Sequence, residues 1–251
     1  MSSKATASDT RRPQAAMLVI GDEILSGRTQ DTNTHFLAGE LTDAGIDLAE
    51  VRVVADDEAA IINAVRALSA GYDQVFTSGG IGPTHDDITA ECIAQAFGVN
   101  IGVRDDARAL LAAHYAARGQ DFNAARMRMA RIPDGAGLID NPVSVAPGFT
   151  LRNVHVLAGV PQVFRAMLEG LLPKLAGGAP LHSETLRIDR GEGDIAGPLA
   201  DLAMSFPDLS IGSYPFWQYG KYGSNIVVRG ADAAMVGAAM ARLSQLFGAD
   251  A

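Results

Sequence analysis

A single cysteine, Cys92, rules out an intramolecular disulfide framework and agrees with a reducing, cytoplasmic setting. Long apolar runs are missing too. None approaches the roughly 18 residues that cross a bilayer, so no membrane span is expected. Residues 1–12 are polar, lack the apolar segment of a secretory signal, and read as part of a disordered tail over 1–14. Positive charge is in short supply: 20 Lys and Arg face 29 Asp and Glu, for a net charge of -9. General nucleic-acid binding needs a basic patch and is not expected. The five histidines give no zinc-ligand spacing, and no GxxxxGK[ST] phosphate loop is present. A chain of 251 residues, 48% apolar, does have enough material for one large or two smaller globular domains.

The most informative stretch runs from Thr77 to Thr89, TSGGIGPTHDDIT. An apolar run ends, three glycines and a proline follow, and two carboxylates open a helical pattern. Glycines let backbone N–H groups come close to a ligand, and a helix N-terminus presents free N–H groups with the positive end of a dipole, which suits phosphate. Asp86 or Asp87 could cap the helix while the other holds a divalent cation against that phosphate. The plainer reading is a tight strand-to-helix turn with an Asp cap.

The rest of the first half alternates in the same way. Ala15–Ile20 reads as a buried parallel strand that ends in a loop, Gly21–Gly27. A helix capped within Asp31–Asn33 carries Leu37 and Leu41 and stops at Gly45. Strand 46–54, a helix with Ile61, Ile62, Val65 and Leu68 on one face, strand 73–78 and the helix after Asp87 follow. Such alternation implies a parallel α/β sheet, whose ligands bind at the carboxyl ends of the strands. Both Gly21-Asp22-Glu23 and Gly79 to Asp87 fall on that edge.

Beyond it, helices are expected over 105–118 and 123–131, a turn over 133–137 and a non-helical, ligand-side segment over 141–149. A strand at 154–157 leads through Gly159-Val160-Pro161 into a helix from about 162 to 175, with Pro161 suited to its first turn. Gly177 to Pro180 reads as a linker between a domain over 15–176 and a smaller one over 181–251. In the latter, a β-α-β-β-α order with strands 184–188, 209–216 and 225–229 and helices 195–206 and 233–247 suggests a split-βαβ unit. Its Gly191 to Ala196 stretch matches a dinucleotide pattern only loosely. Tyr214, Phe216, Trp217, Tyr219 and Tyr222 could stack on an aromatic ligand or bury against a second subunit.

Taken jointly, Gly21-Asp22-Glu23-Ile24-Leu25-x-Gly27, Asp31-x-Asn33, Gly79-Gly80-x-Gly82-Pro83-Thr84-x-Asp86-Asp87-x-Thr89, Ala146-Pro147-Gly148 and Gly159-Val160-Pro161 resemble the molybdopterin-binding-like domain of the CinA family. The same domain precedes the synthetase part of eukaryotic FAD synthases. The resemblance covers about 15–175 strongly, and the order of elements after Gly178 is similar to the small domain that follows in CinA-type chains. It implies a three-layer α/β sandwich with a mostly parallel sheet that binds a phosphorylated pterin or a nucleotide diphosphate. It also implies hydrolysis of the pyrophosphate of ADP-ribose or FAD with a divalent metal (Mg, Mn or Co), helped by a monovalent cation such as K, in a homodimer or larger homo-oligomer. Binding without turnover, or adenylyl transfer in molybdenum-cofactor assembly, are the alternatives. The further deamidase domain of full CinA chains finds no room before Ala251, and its activity is not carried over.

Residue by residue, the resemblance implies metal at Asp22 and Asp87, with Glu23 a further ligand or general base and Asp87 also catalytic. Ligand contacts are implied at Gly21, Gly79, Gly80, Gly82, Pro83, Thr84, Pro147, Gly148 and Gly159. Asn33 either orients a ribose or phosphate or caps its helix, and Asp86 caps the helix or touches ligand. Two departures stand out. Ala158 replaces the family's Pro and Val163 its Glu, while Ser144 and Val145 replace Gly-Thr. His85 is a candidate acid or base, and Cys92 is expected in the core.

Overall fold

The computed structural model describes residues 11–178, 181–218 and 220–248. The chain divides into two compact units, 1–178 and 179–251. The first unit opens with β1 (Gln14–Ile20), a short α1 (Asp22–Leu25), α2 (Asn33–Asp43), β2 (Asp47–Val54), α3 (Glu58–Gly71), β3 (Gln74–Ser78) and α4 (Thr89–Phe97). It continues with β4 (Ile101–Val103), α5 (Asp105–Ala117), α6 (Ala124–Arg128), β5 (Arg131–Pro133), β6 (Gly137–Ile139), β7 (Gly148–Leu151), β8 (Val154–Leu157) and α7 (Pro161–Leu171), closed by a 3₁₀ turn over Leu172–Lys174.

Six strands form one sheet in the order β2-β1-β3-β8-β7-β6. The first four run parallel, and β7 and β6 add antiparallel. The continuous apolar run of β1 follows from burial on both faces. Ala16, Leu18 and Ile20 join Ile61, Val65, Leu68, Ile93 and Leu111 on one side. Ala15, Met17 and Val19 join Leu37, Leu41, Phe164, Met167 and Leu171 on the other. A three-layer α/β sandwich results. β4 and β5 make a separate two-stranded ladder.

From β1 the chain passes outward to β2, then returns over the other face to β3. The carboxyl ends of β1 and β3 therefore meet at the point where strand order reverses, where open α/β sheets form their binding crevice. Val19 pairs with Ser78 there, and Gly21 and Gly79 follow directly.

Several local expectations change. Four residues of the expected 21–27 loop form α1. The expected tail ends sooner, because Arg11 pairs with Asp73 at 2.8 Å and Gln14 begins β1. The helix expected over 123–131 spans only Ala124–Arg128, since Asn123 caps it and the chain then turns into β5. Asp31, not Asn33, serves the start of α2, accepting from the N–H groups of Asn33 and Thr34 at 2.9 and 3.1 Å.

The second unit comprises β9 (His182–Ile188), α8 (Glu192–Ser205), β10 (Ser210–Gln218), β11 (Lys221–Gly230) and α9 (Ala233–Phe247). Its sheet order is β10-β11-β9, antiparallel throughout, so β11 separates the parallel β9 and β10 as a split βαβ requires. Ile188, Ile226 and Val228 from the sheet and Ile195, Leu202, Val236 and Leu243 from the helices fill its core. Tyr214, Trp217 and Tyr222 are exposed. Arg187 lies 3.9 Å over the Phe216 ring, and Tyr219 falls outside the described residues. The loose dinucleotide pattern is the start of α8, with Gly191 at its N-cap.

Candidate active site

The glycines after β3 are held by close backbone contacts. Gly79 has φ 107, and a Cβ there would run into the Ile20 carbonyl at the end of β1. Gly80 has φ 68, and a Cβ there would meet the Thr89 hydroxyl. Both positions need glycine for conformation and for space. Buried Thr89 fastens the turn, donating its hydroxyl to the Gly79 carbonyl and its N–H to the Gly80 carbonyl, each at 3.0 Å.

Gly79, Gly80 and Gly82 form one side of a 450 Å³ cleft, together with Ile81 and Asp87. Glu23 and Thr29 come from beyond β1, Asn141, Ser144 and Ala146 from the loop before β7, and Ala158 to Pro161 and Val163 from the turn into α7. The carboxylate of Glu23 lies against the backbone of Gly21, where a Cβ would stand 2.5 Å from Oε2. Asp87 faces back over Gly82. Its Oδ2 accepts from the Thr84 N–H at 2.8 Å and from the Thr84 hydroxyl. Asn141 shapes the opposite loop by donating to Ser144 Oγ and the Ala146 carbonyl at 2.7 and 2.8 Å. Val145 in that loop takes φ 67, a left-handed conformation that β-branched residues rarely adopt.

Glu23, Gly79, Gly80, Gly82, Asp87 and Gly159 thus share the cleft, and other expected residues lie elsewhere. Asp22 does not line it. The N–H of Asp22 donates to Asp56 Oδ2 at 3.0 Å. The Asp56 carboxyl is raised above the usual carboxylate range chiefly by burial and further by the like charges of Asp22, Glu23 and Asp86. Asp86 is exposed, reaches His85 at 3.8 Å and caps nothing, since no side chain caps α4 at its start. Gly21 is buried and donates its N–H to the Val54 carbonyl. Pro83 and Thr84 are exposed beyond the cleft, with Thr84 turned to Asp87. Gly148 is a packing position, where a Cβ would strike the Val156 carbonyl and Met167. Pro147 borders a smaller cavity behind the glycines, with Glu91, Arg128 and Arg131.

Sequence reasoning missed those two arginines. Arg128 donates to the Asp87 carbonyl at 3.1 Å, and Arg131 pairs with Glu91 of α4. Their signal was only a run of basic residues near 126–131. Ala158 and Val163, noted as departures from the family pattern, do line the cleft.

Comparison with known proteins places this architecture. The family described as a probable molybdopterin binding domain matches residues 16–177. The chain belongs to the CinA-like molybdopterin-binding family. Residues 180–251 match the middle domain of FAD synthase. A protein of Pyrobaculum calidifontis is 35% identical over 212 residues, covering 81% of each chain. A probable FAD synthase of Caenorhabditis elegans is 36% identical over 230 residues, covering 82% of this chain and 44% of its own length. A CinA-like protein of Myxococcus xanthus is 39% identical over 166 residues, covering 63% of this chain and 39% of its own. The chain therefore spans less than half the length of those last two relatives. Among solved structures, CinA of Thermoplasma acidophilum, described as of unknown function, superposes with a TM-score of 0.60 at 36% identity, over 65% of this chain and 98% of that one. No helix among the described residues is long and apolar enough to cross a membrane.

Proposed function

We propose that this CinA-like molybdopterin-binding protein is a metal-dependent nucleotide pyrophosphatase acting on a diphosphate such as that of ADP-ribose or FAD. The observation that carries the reading is the cleft itself, where a glycine turn at the β1/β3 switch point shares its lining with two acidic residues, Glu23 and Asp87. Backbone N–H groups of such a turn suit phosphate oxygens, and 450 Å³ is within the usual range of small-molecule pockets.

The donor set also bears on the metal. Among the described residues no group of three His, Cys, Asp or Glu stands ready to hold an ion. Two carboxylates on one cleft fit a hard divalent cation shared with the substrate's own phosphates better than a protein cage. When bound, such a cation neutralises charge at the phosphates and makes water more acidic. Asp87 would hold it, with Glu23 as a second ligand or as the base that takes a proton from the attacking water. That water adds to one phosphorus, the bridging P–O bond breaks, and two monophosphates leave.

Ala158 and Val163 favour a second reading, since both line the cleft and Val163 puts an apolar side chain where the family pattern has a carboxylate. In that reading a pterin or nucleotide binds without turnover. Incubating the protein with FAD, ADP-ribose and NAD, and separately with ATP plus molybdopterin, each with Mg²⁺, Mn²⁺ or Co²⁺ and with or without K⁺, separates the two. Release of paired monophosphates supports hydrolysis. Tight binding with no product selects the second reading, and product only from ATP with molybdopterin moves the assignment to adenylyl transfer.

A further inference from the structure

Arg128 is the last residue of α6 and is half-buried. Its Nη2 donates to the main-chain carbonyl of Asp87 at 3.1 Å. Nε is buried and has no hydrogen-bond partner among the described residues. No carboxylate among them pairs with Arg128, whereas Arg131, which lines the same recess, is matched by Glu91. A cation held partly out of water without a counter-charge is costly, so its presence calls for an explanation.

The cleft has the opposite deficit. Among the described residues that line it, Glu23 and Asp87 are acidic and none is Lys or Arg. Apart from the backbone N–H groups of the glycine turn, its lining offers a diphosphate only repulsion. Gly80, Ile81, Gly82, Asp87 and Met129 line both this cleft and the recess lined by Arg128. That recess measures 20 Å³, which is room for one water and none for a phosphate. Direct contact between Arg128 and a phosphate in the recess is therefore ruled out by size. Charge acting through a protein wall is screened far less than charge acting through water.

We propose that Arg128 supplies the cationic charge of this cleft from behind the glycine turn, offsetting Glu23 and Asp87 so that a diphosphate can enter. The proposal rests on the phosphate reading above. It goes further in assigning the counter-charge to a residue that touches neither phosphate nor metal. Arg128 is a positioning residue in this sense: its bond to the Asp87 carbonyl fixes the guanidinium, and the field of that guanidinium acts on the anion.

Calorimetric titration of the full chain with inorganic pyrophosphate, in chelator and again with Mg²⁺, tests it on the native protein, Arg128→Lys and Arg128→Gln. Arg128→Lys keeps the charge and should stay within about threefold of the native affinity. Arg128→Gln keeps a donor for the carbonyl but no charge, and should bind pyrophosphate about fivefold or more weakly. Native affinity in Arg128→Gln would show that the charge is not needed and would overturn the proposal. An equal loss in both variants assigns Arg128 to packing and overturns it as well. If Arg128→Gln does not fold, Arg128→Met takes its place, and its deficit must shrink as KCl is raised, which a lost hydrogen bond alone would not do. Failure of both neutral forms to fold makes the role structural and again overturns the proposal. All these outcomes leave the phosphate reading standing. A native chain that binds pyrophosphate under neither condition brings down both.

Discussion

Thr84 gives both its N–H, at 2.8 Å, and its hydroxyl to a single oxygen of Asp87, across a glycine that leaves the space free. The acid thus occupies donors at the mouth of the loop that an anion could otherwise use. Removing it should have two effects of opposite sign. In Asp87→Ala, turnover with a divalent metal should fall by about a hundredfold or more, as when a group stabilising transition-state charge is lost. Metal-free binding of inorganic pyrophosphate should tighten severalfold, because the Thr84 donors are released and a negative charge leaves. Steady-state assays and titrations in chelator measure the two separately, and a parallel fall in both would refute the double role.

That relationship was half visible beforehand. The glycines, the two acids and their place at the carboxyl edge follow from pattern, because a buried strand reads as an apolar run and a glycine cluster marks its exit. Asp57, which caps α3, and Gly98, left-handed after α4, are residue types that mark helix ends locally. What Asp86 and Asp87 do was not legible, since both are chemically suited to capping and only the loop's path turns one inward and the other out. Asn33 is similar. Its residue type fits a helix start, but its partners, Ser78 and Gly159, are distant in sequence. Strands β4 to β7 span three or four residues each, too short for any period, and β5 even contains Pro133. Arg128 matters through a carbonyl 41 positions away. Contacts made across such separations leave no local trace.

The fold's dependence on the glycine turn can be measured directly. In Gly79→Ala the new methyl meets the Ile20 carbonyl, which β1 holds in its ladder, at a φ of 107. A loss of about 2–4 kcal/mol in unfolding free energy is expected from strain and backbone displacement. Gly39→Ala is the control. It lies inside α2 with nothing within 4 Å of the added methyl, and should gain about 0.5–1 kcal/mol from helix propensity. Urea titration of both variants gives the comparison. Equal effects would mean that the close approach at Gly79 is unimportant.

Cys92 is buried between α3, α4 and the sheet, and burial pushes its thiol up to about 12. Nearby Glu58, Glu91 and Asp57 add to the shift. Since the thiolate is the reactive species, the native protein should resist a disulfide reagent at pH 8 and react in full once unfolded in urea. Rapid labelling of the native chain would show that this thiol is not the core group described here.

His155 of β8 is 3% exposed and held from both sides. Nδ1 accepts from the Thr150 hydroxyl at 2.9 Å, and Nε2 donates to Gln74 Oε1 at 2.7 Å. Burial lowers its pKa from 6.5 to about 4. The folded chain therefore resists a proton that the unfolded chain accepts. Above pH 6.5 neither state is protonated and the group has no effect on stability. As pH falls from 6.5 towards 4, the unfolded state gains the proton first and stability drops; below 4 both states carry it and the slope vanishes. Two and a half pH units correspond to about 3 kcal/mol as an upper bound. A His155→Gln variant keeps hydrogen-bonding capacity without titrating. Its unfolding free energy should lack this part of the decline between pH 6.5 and 4, and an unchanged slope would assign the acid sensitivity to other groups.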